Sequence, residues 1–225
     1  MNKIVSILLV FVLLFALISC GQSEDGTPYG MKLASNPEIV EYTLYVPEDW
    51  TVTYSAGMTM AQASLNDPTN VIVTHHSQTS QNEYSDSKFM LIAYLYGADE
   101  VKLPAEGEEK TYREYEDALL LKEDSYLGRL YRMFDTVKDA DGVEMSSFEM
   151  VEAPSFMTLA KGEKAVAAIS FIYKGTLDGA QVQQRMILSY EDAYYYNITF
   201  STAPGLYESY ATTFNTVIEN FSFDE

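Results

Sequence analysis

One cysteine, two histidines and one tryptophan are scattered through 225 residues. A single thiol excludes a disulfide framework and a structural zinc site built on thiolates. Bases are also scarce. There are 14 Lys+Arg against 33 Asp+Glu, a formal charge of −19. A general nucleic-acid binder is excluded, because phosphate affinity needs clustered Lys and Arg. No Gly-x-Ser-x-Gly, phosphate-binding glycine loop, His-Glu-x-x-His or Cys-x-x-Cys occurs. His75 and His76 are the two imidazoles, so triad-type catalysis would need one of them. What is abundant is apolar: 47% hydrophobic residues, 13% aromatic, 18 of them Tyr. That rules out disorder and supports a sizeable core, in one domain by length.

The first segment reads as an address. Lys3 precedes an apolar run from Ile4 to Leu17, too short for a comfortable transmembrane helix and matching a signal-peptide core. Leu17-Ile18-Ser19-Cys20 resembles the lipobox of bacterial lipoproteins. The resemblance implies a diacylglyceryl group on the Cys20 sulfur and cleavage just before it, with Leu17, Ile18 and Ser19 read by the signal peptidase. Two acyl chains make a stable anchor. The alternative is an uncleaved signal anchor with an incidental cysteine. On the lipoprotein reading residues 1–19 are signal peptide, and the chain sits on the extracytoplasmic face of the cell membrane, held by lipid on Cys20. Cleavage removes one base and no acid, so the mature charge is 13 − 33 = −20. Residues 20–36 carry Gly, Ser, Thr, Pro and acids without a period and are expected to form a flexible tether.

Residues 37–225 read as one α+β domain, a mostly antiparallel sheet covered by helices. Val40, Tyr42, Leu44 and Val46 alternate with polar neighbours as one strand. Trp50–Tyr54, Met58–Leu65 and Val71–His76 follow as strands around turns. A short helix is expected through Tyr96, capped by Ser85 or Asp86, although the continuously apolar Phe89–Tyr96 also fits a buried strand. Asp99–Asp124 holds ten acids and four bases and reads as solvated surface. Tyr112, Tyr115, Leu119, Tyr126, Leu130 and Met133 recur at helical spacing, which predicts a helix over Tyr112–Thr136. Ala165–Tyr173, Val182–Tyr190 and Tyr194–Phe200 then form a meander. Pro204 opens a helix with Tyr207, Tyr210, Phe214, Val217 and Phe221 on one stripe.

Val46-Pro47-Glu48-Asp49-Trp50 resembles the "apolar strand, Pro, any two, Trp" signature of the PsbP-like family. Ala63-Ser64-Leu65-Asn66, Asn70-Val71-Ile72-Val73, Gly162-Glu163-Lys164-Ala165 and the closing helix Phe214–Phe223 are similar to that family's later segments, in the same order. The resemblance implies an α-β-α sandwich and a binding or assembly role rather than catalysis. It carries over no catalytic residue.

The candidate binding residues are few. His75 and His76 are adjacent on a strand, so they point to opposite faces and cannot serve one metal. One of them could pair with a remote carboxylate. Asp139-Ala140-Asp141-Gly142 resembles the middle of a calcium loop, but the end positions would be Val137 and Phe148, which a turn explains better. Tyr194 and Tyr196 share one strand face and Tyr195 takes the other. Tyr195, His75, Asp139 and Asp141 are therefore the candidate binding surface. No catalytic residue, metal or cofactor is expected. The expected function is a non-catalytic binding or accessory module for an envelope protein or component. A small-ligand or cation-binding domain is the alternative, and a carboxylate hydrolase the least favoured reading.

Overall fold

The computed structural model describes residues 26–35, 42–64, 67–77, 87–97 and 125–224. Among them runs a mixed fold of thirteen strands, three α-helices and one 3-10 turn. The strands are β1 (Met31–Leu33), β2 (Tyr42–Thr43), β3 (Tyr45–Pro47), β4 (Thr51–Ser55), β5 (Met58–Ser64) and β6 (Asp67–Ser77). After α1 (Ser87–Tyr96) and α2 (Tyr126–Met133) come β7 (Thr136–Lys138), β8 (Glu144–Ser146) and β9 (Glu149–Lys161). β10 (Lys164–Leu177), β11 (Ala180–Glu191) and β12 (Tyr194–Thr202) form the long meander. The 3-10 turn Pro204–Leu206, α3 (Tyr207–Glu219) and β13 (Ser222–Phe223) close the chain.

Nine strands make one sheet in the order β2-β13-β9-β10-β11-β12-β6-β5-β4. Its pairs are antiparallel except β13 with β9. The sheet curls, and the ends of the curl meet: the Tyr42 hydroxyl of β2 lies 2.7 Å from Thr59 Oγ1 of β5, both buried. Alternation sorts the side chains. Val166, Ala168, Ile187, Tyr196, Ile198, Phe200, Val71 and Val73 face the inside of the curl, where Phe214 and Val217 of α3 and Trp50 join them. Ile169, Phe171, Tyr173, Met186 and Leu188 face outward against Leu91 and Leu95 of α1 and Leu127 and Leu130 of α2.

Several expectations need correction. The tether does not run free to residue 36. Met31–Leu33 pairs with Tyr45–Pro47, and Ala34 is fully buried. A turn closed by Met31 N–H donating to the Pro28 carbonyl, with Gly30 in the left-handed region, starts this strand. Three residues are too few to show a period. The expected strand Val40–Val46 is two pieces, β2 and β3, with Val40 and Glu41 outside the described residues. The expected helix Tyr112–Thr136 is observed only as α2. Its part before residue 125 lies outside the described residues, and its end is earlier. Ser125 caps it by accepting from Gly128 N–H, and Phe134 leaves it in an extended conformation. Phe134 does so to pack edge-on against Tyr173 and Phe148. Phe89–Tyr96 is helical: Met90, Leu91, Leu95 and Tyr96 are buried while Phe89 is exposed. Ser85 and Asp86, its expected caps, lie outside the described residues. β9 was hidden because Pro154 and mixed burial blur its alternation.

Two substitutions test this packing. A Cβ on Gly175 would sit 2.5 Å from the Phe134 ring and 2.8 Å from the Ser147 carbonyl oxygen. Gly175→Ala is expected to lower stability by about 1–3 kcal/mol through overpacking, read from urea melts. Tyr42→Phe removes the partner of a fully buried Thr59 hydroxyl. It is expected to cost about 1–3 kcal/mol, and Tyr42→Phe combined with Thr59→Val should recover part of that loss in the same melts.

Candidate functional site

The end of β6 offers two imidazoles to two different environments. His75 turns into the curl, 5.6 Å from the Tyr194 ring and 6.0 Å from that of Tyr196. Both of its ring nitrogens are buried without a partner among the described residues. His76 turns outward and is exposed. It stacks on Tyr195 at 5.6 Å and approaches Tyr94 at 5.7 Å.

Around His76 stands a wall of rings from four elements. Tyr94 of α1 stacks on Tyr195 of β12 with centroids 4.2 Å apart. Tyr190 of β11 lies 4.9 Å from Tyr195, and Tyr126 of α2 lies 5.2 Å from Tyr94. The Arg129 guanidinium sits 5.8 Å over Tyr94 and 6.0 Å over Tyr126, in cation–π range. The Tyr94 hydroxyl is the hub. It lies 3.1 Å from His76 Nε2, and the side chains of Asn197 and Arg129 approach it.

Electrostatics keep this group in one protonation pattern. Burial raises the Tyr94 phenol above its ordinary value, against the opposing pull of Arg129 and Asn197. Burial pushes Tyr195 up to about 12, with Tyr190 and Tyr94 adding to it, and raises Tyr126 further. His76 is lowered, first by burial, then by the Arg129 charge and by His75. The result is a set of protonated phenols beside a neutral imidazole, which suits stacking and hydrogen bonding. It also ties α1 to the sheet, since Tyr195 Oη donates to the Met90 carbonyl at 3.5 Å.

The four candidate binding residues do not come together. Tyr195 is only 5% exposed and forms the floor of the ring wall, so it is not a free binding face. Its ring is covered by Tyr94, a contact that strand alternation alone does not reveal. His75 lies on the opposite face of the sheet. Asp139 and Asp141 sit on the β7–β8 hairpin, where Asp139 Oδ1 accepts from the amides of Asp141 and Val143 at 2.9 and 2.8 Å. That oxygen closes a turn. Among the described residues no group of three or more His, Cys, Asp and Glu could hold a metal ion. Tyr94, Arg129 and Asn197 were missed. Tyr126 and Arg129, three apart on one helix, were the available signal. Leu17, Ile18, Ser19 and Cys20, and the acidic Asp99–Asp124, lie outside the described residues. Among the described residues no helix is long and apolar enough to cross a membrane.

No family model matches the sequence, and no curated protein matches it. Among solved structures, the chain is similar to cyanobacterial PsbP (CyanoP) from Synechocystis sp. PCC 6803 at 10% identity and a TM-score of 0.47, over 90% of this chain and 97% of that one. It is also similar to LpqN, involved in cell envelope biogenesis of Mycobacterium tuberculosis, at 12% identity and a TM-score of 0.43, over 86% of this chain and 90% of that one. No residue role is transferred from either.

The His76 environment sets a pH dependence. Its folded-state value lies below the ordinary 6.5. Well above 6.5 both states are neutral at this position. As pH falls through that value the unfolded chain takes up the proton more readily, so stability drops on acidification. The melting temperature is expected to fall from about pH 7.5 to about pH 5.5, and to fall less in His76→Gln. Equal slopes in both proteins would show that His76 titrates as it would in solvent.

Proposed function

We propose that the chain is a lipid-anchored, extracytoplasmic binding module with a PsbP-like α-β-α sandwich, and that it recruits a protein or envelope component without catalysis of its own. The observation that carries this reading is the position of β1. Met31 begins a paired strand eleven residues after Cys20. Eleven residues span at most about 36–40 Å when fully extended. A lipid on the Cys20 sulfur therefore holds the folded body within about one domain diameter of the bilayer.

The remaining features are consistent with that placement. A mature charge of 13 − 33 = −20 disfavours adsorption onto anionic lipid, so the acyl chains do the anchoring. The one cluster of polar and aromatic groups around an exposed imidazole holds its phenols protonated and its helices fixed. Such a surface binds by stacking and hydrogen bonding rather than by nucleophilic attack.

Cys20→Ser tests the anchor. The natural protein is expected to partition into the detergent phase of a membrane extract and to incorporate labelled palmitate. The variant is expected to lose the label and appear uncleaved or in the aqueous phase. Undiminished label and partitioning in Cys20→Ser would overturn the lipid-anchor reading.

A further inference from the structure

The two edges of the nine-stranded sheet are unlike. At one end β2 is two residues long, and Thr43 Oγ1 donates to Asp224 Oδ1 beside it. Such a short edge offers little for another chain to pair with. At the other end β4 runs Thr51-Val52-Thr53-Tyr54-Ser55. It pairs with β5 over five consecutive residues, Thr51↔Gln62 to Ser55↔Met58, with no register shift. Among the described residues nothing pairs with its outer side.

Natural sheet edges are usually blunted by a lysine, a proline, a bulge or an inward charge. β4 has none of these. It is uncharged, β-branched and mostly exposed. The carbonyls just ahead of it are already taken, since Lys32 Nζ donates to the Glu48 and Trp50 carbonyl oxygens. Among the described residues the strand is therefore clamped at its start and unpaired on its outer side over Val52–Tyr54. Val52 and Tyr54 share the inner face, where Val52 packs on the core and Tyr54 is 46% exposed.

Charge decides the occupant. A second mature copy would bring the same charge of 13 − 33 = −20 against this one, and long-range repulsion opposes such an approach. Exposed Glu48 and Asp49 stand in the turn that leads into β4. An antiparallel strand added to β4 places its C-terminal residues beside those two acids.

We propose that the outer edge of β4 receives an extended segment of a partner protein, with alternating β-branched residues and basic residues at its C-terminal end, as an added strand. The proposal rests on the binding-module reading and names the surface and the partner's chemistry. Val52 and Tyr54 supply side-chain contacts on one face, and the β4 backbone supplies the hydrogen bonds.

The test uses the full chain in detergent and a synthetic peptide that alternates valine and threonine and ends in three basic residues. Trp50, the one tryptophan, directly precedes β4 and reports by fluorescence. Saturable binding is expected, with amide shifts confined to Val52–Ser55 and their β5 partners. The same peptide with an acidic end should bind at least tenfold more weakly. Thr53→Pro should weaken binding at least tenfold. Tyr54→Lys, which alters an exposed side chain and leaves the fold intact, should do likewise. Absence of binding overturns the proposal. So do shifts centred on His76, Tyr94 and Arg129, although those would leave a binding module standing. A concentration-dependent dimer that broadens the β4 amides without peptide also overturns it, by making the occupant a second copy. Failure of the anchor itself reads out separately, in the partitioning of Cys20→Ser.

Discussion

A buried contact between hydroxyls joins strands near the two ends of the large sheet. Tyr42 belongs to a two-residue strand that cannot stand alone, and Thr59 lies near the far edge, seven strands away in the sheet order. Their 2.7 Å contact is net worth only about 1 kcal/mol. Its importance is geometric. Around it the Tyr42 ring stacks on Phe221 and meets Tyr196 edge-on, so strand, helix exit and sheet centre converge. The inner core is filled because the sheet closes there, and the sheet closes there because a tyrosine can be apolar along its ring and polar at its tip.

That closure gives the two faces of the meander different tasks. The inward face packs its own aromatic residues with α3. The outward face has no curl to enclose it and depends on α1 and α2, two short helices. Those helices are fixed by more than apolar contact. The ring wall around Tyr94 adds hydrogen bonds and cation–π contacts at the point where they meet the sheet.

Much of this was legible in the residues and some was not. The alternation of Ala165–Tyr173 and of Tyr194–Phe200 identified both strands and assigned their faces, because the largest side chains of each recur at period two although both faces are buried. The helix stripe Tyr207–Val217 was equally clear, although the helix ends at Glu219 and the expected Phe221 lies beyond it. Strand β1 was too short to show a period, and β9 carried a proline and an irregular burial pattern. For the candidate site, the opposite faces of His75 and His76 followed from strand geometry. The burial of Tyr195 did not, because it depends on a helix that arrives from another part of the chain. The Asp139 turn is a local arrangement, one carboxylate oxygen serving the amides of Asp141 and Val143, which such a spacing favours.

The Tyr94 side chain touches four separate stretches of chain: its own helix, β6 through His76, β12 through Tyr195 and α2 through Tyr126 and Arg129. Local opening in proteins proceeds by cooperative units rather than by single residues. A side chain shared in this way ties α1 to α2 despite the long stretch of sequence between them. The two outer helices are then expected to open together and apart from the curled interior.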